Sequence, residues 1–209
     1  ELISAVLARS CDLSVPDYAI VDVPPELAEA VPDSAVRDSL KVNPGLNFGS
    51  VFVQGMDLWR DSGATRDPAL LEFFEQLMQF DAALINGDRT VDKSNVIWRG
   101  SEAYAIDHSL ALPIVLWDHG SEKSTVMLPE SNIRRHAGFP VLRDAGRTFD
   151  SLLNQLPGCL SPDRLAKLRA WIPASWEEKA GHLDRIFEFL GAASHATSQA
   201  SNELRRVVG

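Results

Sequence analysis

A chain of 209 residues with 45% hydrophobic content can bury one substantial core, or two smaller lobes that share a cleft. Its formal net charge of −9 argues against a protein held to nucleic acid or anionic lipid by bulk electrostatics. Cys11 and Cys159 lie far apart without metal-ligand spacing, the apolar start lacks a signal peptide's basic leader, and no run approaches the roughly 18 apolar residues of a membrane span, so a compact cytoplasmic protein is expected.

In chain order, residues 2–8 (LISAVLA) read as the end of an apolar helix, and VPDYAIVDVP after it as a short β-branched strand. From Pro24 to Gly45, acids and prolines with little periodicity predict a surface excursion. LNFGSVFVQGM follows as a strand through Val51, Phe52 and Val53, expected to cross the middle of the protein. The clearest helix comes next: Asp67 caps it, Pro68 suits its first turn, and Leu70, Phe73, Phe74, Leu77, Phe80 and Leu84 form a buried stripe. NVIW and AYAI are two short strands joined by a turn near Gly100. From about Phe149 the chain is mostly helical, with one stripe at Leu165, Leu168 and Ile172 and another at Leu183, Ile186, Phe187 and Leu190. Pro173 breaks the helices, Ser175 is expected to cap the next, and Trp171 and Trp176 are expected to fill core space. The pattern is α+β, with a cleft between a smaller and a larger part.

The stretch NGDRTVDKSN, residues 86–95, carries the chemistry of interest. Asn95 enters the first hairpin strand and Asp107 leaves the second, so the hairpin returns Asp107 to the end where Asn95 and Asp88 lie. Two carboxylates and an amide oxygen suit a hard cation such as Mg²⁺, and an acid beside that ion can orient or deprotonate a hydroxyl. Phosphoryl transfer asks for such a set. The plainer reading is a turn at Asn86-Gly87, a surface ion pair at Asp88-Arg89 and a strand-ending Asp107.

A long helix, then NGDRT…SN, a strand pair and IDHSLAL, with NPGLNFGSVFV upstream, resembles the HipA-like kinases, distantly similar to protein kinases and phosphatidylinositol kinases. The likeness covers residues 43–56 and 80–112 and continues more weakly to about 195. It implies a protein-kinase-like fold, with a partial small lobe over residues 1–56 and a helical lobe over 57–209. It further implies Mg²⁺ and ATP, Asp88 as the catalytic acid that accepts the hydroxyl proton, Asp107 as a magnesium ligand, and Val51, Phe52, Val53 and Gln54 as strand and hinge beside the adenine. The family's metal-binding Asn falls five residues after the catalytic Asp; that position here is Lys93, with Asn95 two residues later, so Asn95 substitutes or the second metal site is weakened. The glycine-rich loop and phosphate-gripping lysine would lie upstream of a helix bearing a glutamate, a place Glu1 could fill. The implied partners are a protein bearing a serine or threonine hydroxyl and, as for many relatives, an antitoxin or a chain that supplies the missing lobe. A pseudokinase or partner-binding subunit, and a small-molecule or lipid kinase, are the alternatives.

Other motifs carry less. GSEKST, residues 120–125, has Glu122 where a phosphate loop needs glycine. The five histidines form no zincin pair, and His108 reads as a packing or supporting residue. Arg89 either neutralises phosphate or holds its loop, and the basic island at Arg134 and Arg135 reads as solvated surface.

Overall fold

The computed structural model describes residues 1–60, 65–112, 128–143, 145–177 and 181–209; GSEKST and His119 lie outside them. Among the described residues the chain is α+β, with ten α-helices and two small antiparallel sheets. None of these helices is long and apolar enough to cross a membrane.

Helix α1 (Leu2–Ser10) buries Leu2, Ala5, Leu7 and Ala8. Strand β1 (Tyr18–Val23) pairs antiparallel with β2 (Gly45–Ser50), Tyr18 facing Ser50 and Val23 facing Gly45. The excursion between them holds two short helices, α2 (Pro25–Ala30) and α3 (Ser34–Val42), which bury Ala28 alone. It is a surface element, as expected, but a helical one.

Strand β2 corrects the strand reading of this region. It ends at Ser50, so Val51–Gln54 form no strand, and the ribbon lies toward the surface instead of crossing the middle: Ile20, Val21 and Leu46 are exposed. The cause is the partner. Pairing with β1 extends only to Tyr18, and the Val51 amide then closes the ribbon by donating to the Asp17 carbonyl at 2.7 Å. Strand β3 (Asp57–Leu58), β4 (Val96–Arg99) and β5 (Glu102–Ala105) make the second sheet in that order.

The core is built round α4 (Pro68–Ala83). Asp67 caps it, accepting from the amides of Ala69 at 2.9 Å and Leu70 at 3.3 Å, and satisfies donors that a helix start leaves open. Phe74, Leu77, Met78 and Phe80 are fully buried, and one apolar cluster joins them to α1 and to the later helices. Those are α5 (Glu130–Arg135), α6 (Phe139–Leu142), α7 (Ser151–Cys159), α8 (Pro162–Trp171), α9 (His182–Ala193) and α10 (Thr197–Val208). Polar side chains on α4 place α7 as well. The Gln79 carbonyl oxygen accepts from the amides of Leu152 and Leu153, each at 3.1 Å, and so caps the start of α7 from across the core.

Three tail expectations need adjusting. The helix break at Pro173 is present, but Trp171 is 63% exposed, because α8 turns only Leu165 and Leu168 inward. Trp176 is half-buried, and its indole Nε1 donates to the Leu46 carbonyl at 2.6 Å, tying the tail to β2. Ser175 caps nothing: Ala174–Trp176 is a 3-10 turn and α9 starts at His182. Cys11 and Cys159, distant in sequence, end α1 and α7 side by side and are both free and buried; Cys159 Sγ donates to the Ser10 carbonyl at 3.0 Å. Burial and the Cys159 thiol push the Cys11 thiol upward.

Candidate active site

Helix α4 ends in a turn that aims the chain into the 86–95 loop. The Leu84 amide bonds the Phe80 carbonyl at 3.0 Å and the Asn86 amide reaches back to the Asp81 carbonyl at 2.8 Å, the six-to-one pattern of a helix C-terminus. Ile85 takes the left-handed position there at φ 54°, where glycine is the usual occupant, so the local structure holds a β-branched residue against its preference. Gly87 leaves room for a neighbouring side chain. A Cβ there would stand 2.3 Å from Asn132 Nδ2 on α5.

The loop is fixed from below by a buried network that the sequence reading did not foresee. Asp81, fully buried on α4, accepts from Arg89 Nε at 2.6 Å, His136 Nε2 at 2.9 Å and Asn86 Nδ2 at 2.9 Å. The Gly138 amide donates to His136 Nδ1 at 3.0 Å, which leaves the proton on Nε2 for Asp81. Burial alone would raise the Asp81 carboxyl; the Arg89 guanidinium and the bond from His136 outweigh it and hold the group below the usual carboxylate range. Arg89 Nη1 then donates to the carbonyls of Asn95 at 2.5 Å, Ser94 at 3.2 Å and Ile106 at 3.2 Å. It stitches the loop to both ends of the hairpin. Of the two roles open to Arg89, the geometry favours loop-holding: the side chain is fully buried and its Nε and Nη1 are engaged, while Nη2 is buried without a partner.

Above this base the three oxygen-bearing residues meet. Lys93 Nζ lies 2.6 Å from Asp88 Oδ2 and 3.7 Å from Asp107 Oδ2, so one ammonium bridges the two carboxylates. Asn95 Nδ2 reaches the same Asp88 oxygen at 3.5 Å. Register explains the convergence: Val96 pairs with Ala105, which brings the residues just outside the hairpin, Asn95 and Asp107, to one end. Both take left-handed backbone, φ 48° and 52°, which Asn and Asp tolerate better than most side chains. Ser109 Oγ donates to Asp107 Oδ1 at 2.5 Å, and chiefly for that reason the Asp107 carboxyl is held below its ordinary range. Bonding to Asp88 in turn raises the Lys93 ammonium.

Asp107 also lies at the edge of a cavity of about 480 Å³, a size suited to a small-molecule ligand. Its walls include Val15, Tyr18, Phe48, Ile97 and Ala105. Val51, Phe52 and Val53 line it too, as loop and not as strand, with Phe52 87% exposed; Gln54 is exposed and does not line it. Glu1 and His108 complete the wall near Asp107. His108 is buried with its ring edge-on to Phe80 at 5.7 Å, and burial, aided by Arg89, pulls its imidazole down to about 4. It packs, as read. Arg134 and Arg135 are exposed, Arg134 pairing with Glu130 at 2.8 Å.

The oxygen donors fit a hard ion, and the Lys93 ammonium between them is a cation of the protein's own in that place. Among the described residues no cluster of three or more His, Cys, Asp or Glu could hold a metal by itself. Magnesium, which retains water and phosphate oxygens in its shell, needs no such cage.

Asp107 thus lines an apolar cavity, and Lys93 joins it to Asp88 in the loop beside it. The family model for the HipA-like kinase matches residues 1–182, and the chain belongs to that family of kinase-like phosphotransferases. No curated protein and no solved structure matches it.

Proposed function

We propose that the chain transfers phosphate from Mg-ATP to a serine or threonine hydroxyl of a protein in the cytoplasm. The observation that carries this reading is the meeting of Asp88 and Asp107 beside a cavity of nucleotide-accommodating size. Residues 1–56 serve as a partial small lobe and 57–209 as the helical lobe, with the adenine against Val51–Val53 and the phosphates toward Asp107. Asp107 and the Asn95 amide oxygen would hold magnesium, which when bound draws charge off the transferring phosphoryl group. Asp88 orients the attacking hydroxyl and takes its proton as the new oxygen–phosphorus bond forms and the bond from the γ-phosphorus to the bridging oxygen breaks, releasing ADP. The Arg89–Asp81 base holds that geometry without contacting substrate.

The test is transfer of label from γ-labelled ATP, with Mg²⁺, by the natural full-length protein to itself and to proteins of a cell extract. Asp88→Asn should lower transfer by roughly 10²–10⁴-fold while nucleotide affinity persists. Undiminished turnover in that variant would remove Asp88 from the role. A second reading, a pseudokinase that holds nucleotide or a partner without transfer, is favoured by Lys93 sitting on Asp88 at 2.6 Å. Binding without transfer in the parent protein would select it.

A further inference from the structure

We infer that the Lys93 ammonium is a tethered counter-ion: it supplies one of the positive charges of this site, so that nucleotide is bound with a single divalent ion. The inference deepens the nucleotide-binding reading above and rests on it. Lys93 Nζ occupies the space between two carboxylates, 2.6 Å from one and 3.7 Å from the other, where a metal would otherwise balance their charge. Its backbone is preset: the Lys93 amide donates to Thr90 Oγ1 at 3.2 Å and its carbonyl accepts from the Thr90 amide at 2.9 Å. The side chain is 53% exposed, so the charge can shift between carboxylate and phosphate while the loop stays still.

The charge is needed there. Among the described residues the cavity wall carries no lysine or arginine, and its acids are Glu1 and Asp107. Arg89 is buried with no side-chain exposure, its Nε on Asp81 and its Nη1 on three carbonyls. A polyphosphate entering toward Asp107 therefore meets Lys93 as its protein cation. The same ammonium repels a divalent ion that approaches Asp88 and Asp107 without nucleotide. Coulomb's law for one unit and one double charge about 4 Å apart in water puts that repulsion at tenfold or more in affinity.

Binding of Mn²⁺, followed by its electron paramagnetic resonance signal, tests this without any turnover. Without nucleotide, Lys93→Ala and Lys93→Asn should bind Mn²⁺ at least tenfold more tightly than the parent, and Lys93→Arg should match the parent. With a non-hydrolysable ATP analogue, the parent should take up one Mn²⁺ per chain and Lys93→Asn two. Equal nucleotide-free affinity in all four proteins, or two ions in the parent complex, would overturn the inference. If the parent bound no analogue, the kinase reading would fall, while the nucleotide-free arm would still decide what Lys93 does to a metal. Unchanged urea midpoints, expected for a half-exposed side chain, separate these effects from misfolding.

Discussion

Removing the Asp81 carboxylate should unfold much of what the loop depends on. Asp81 and Arg89 have side chains with no solvent exposure, and Asp81 accepts from Arg89, His136 and Asn86. Asp81→Ala leaves the guanidinium in the interior with its countercharge gone, and breaking a buried pair in this way costs about 3–5 kcal/mol. That is between about a fifth and the whole of a stability of about 5–15 kcal/mol. Arg89→Met should cost a similar amount, because the carbonyls of Ser94, Asn95 and Ile106 lose their donor. The double replacement Asp81→Ala with Arg89→Met should lose little more than Arg89→Met alone, since it leaves no orphaned charge. Urea unfolding at pH 7 of the four proteins gives the cycle. A loss below about 1 kcal/mol for Asp81→Ala, or strict additivity, would refute the reasoning. The acid limb follows from the same group. Its folded carboxyl is depressed, so its contribution is whole above the unfolded value of about 3.9 and disappears as pH falls from there through the folded value.

His108 acts in a different window. Its folded imidazole, held at about 4 by burial, takes up a proton later than the unfolded one at about 6.5, so stability declines as pH drops from about 6.5 toward 4. Between pH 7 and pH 5 its share of that decline is about 2 kcal/mol. Urea titrations at both pH values should show the slope reduced in His108→Gln; identical slopes would dismiss the explanation. For Asp107→Ala, calorimetric titration with ATP in excess Mg²⁺ should show at least a roughly tenfold loss of affinity that chelation of the metal erases in the parent. An affinity indifferent to both changes would take Asp107 out of the metal site.

Much of the site could be read from local grammar. Asp67 and Pro68 announce α4, and a hairpin turning at Gly100 must return residue 107 beside residue 95, because antiparallel pairing leaves no other end for it. The network beneath was harder to read. Asp81 and His136 are 55 residues apart, and tertiary folding alone joins them. A clue was present in the spacing: Asp81 follows Leu77 by four residues on the helix's buried side, and an acid in such a stripe demands a buried partner. Lys93 registered as a departure from a pattern, while its ammonium's reach to both acids depends on side-chain geometry that spacing does not encode. Val51–Val53 have the composition of a strand, but β1 offers partners only as far as Ser50. Trp171 shows the opposite failure: an indole was assigned to the interior by size, and the turn of α8 puts it outside.

The left-handed backbone at Asn95 and Asp107 has an evolutionary corollary. Each position answers to two judges, one steric and one chemical, and they admit different residues. Glycine would relax the main chain at either place while deleting the oxygen that the proposed magnesium site would use. A lineage losing its catalytic purpose thus has a smooth exit here, through replacements that folding would welcome, whereas at Asp81 the same lineage would be held fast by the architecture itself.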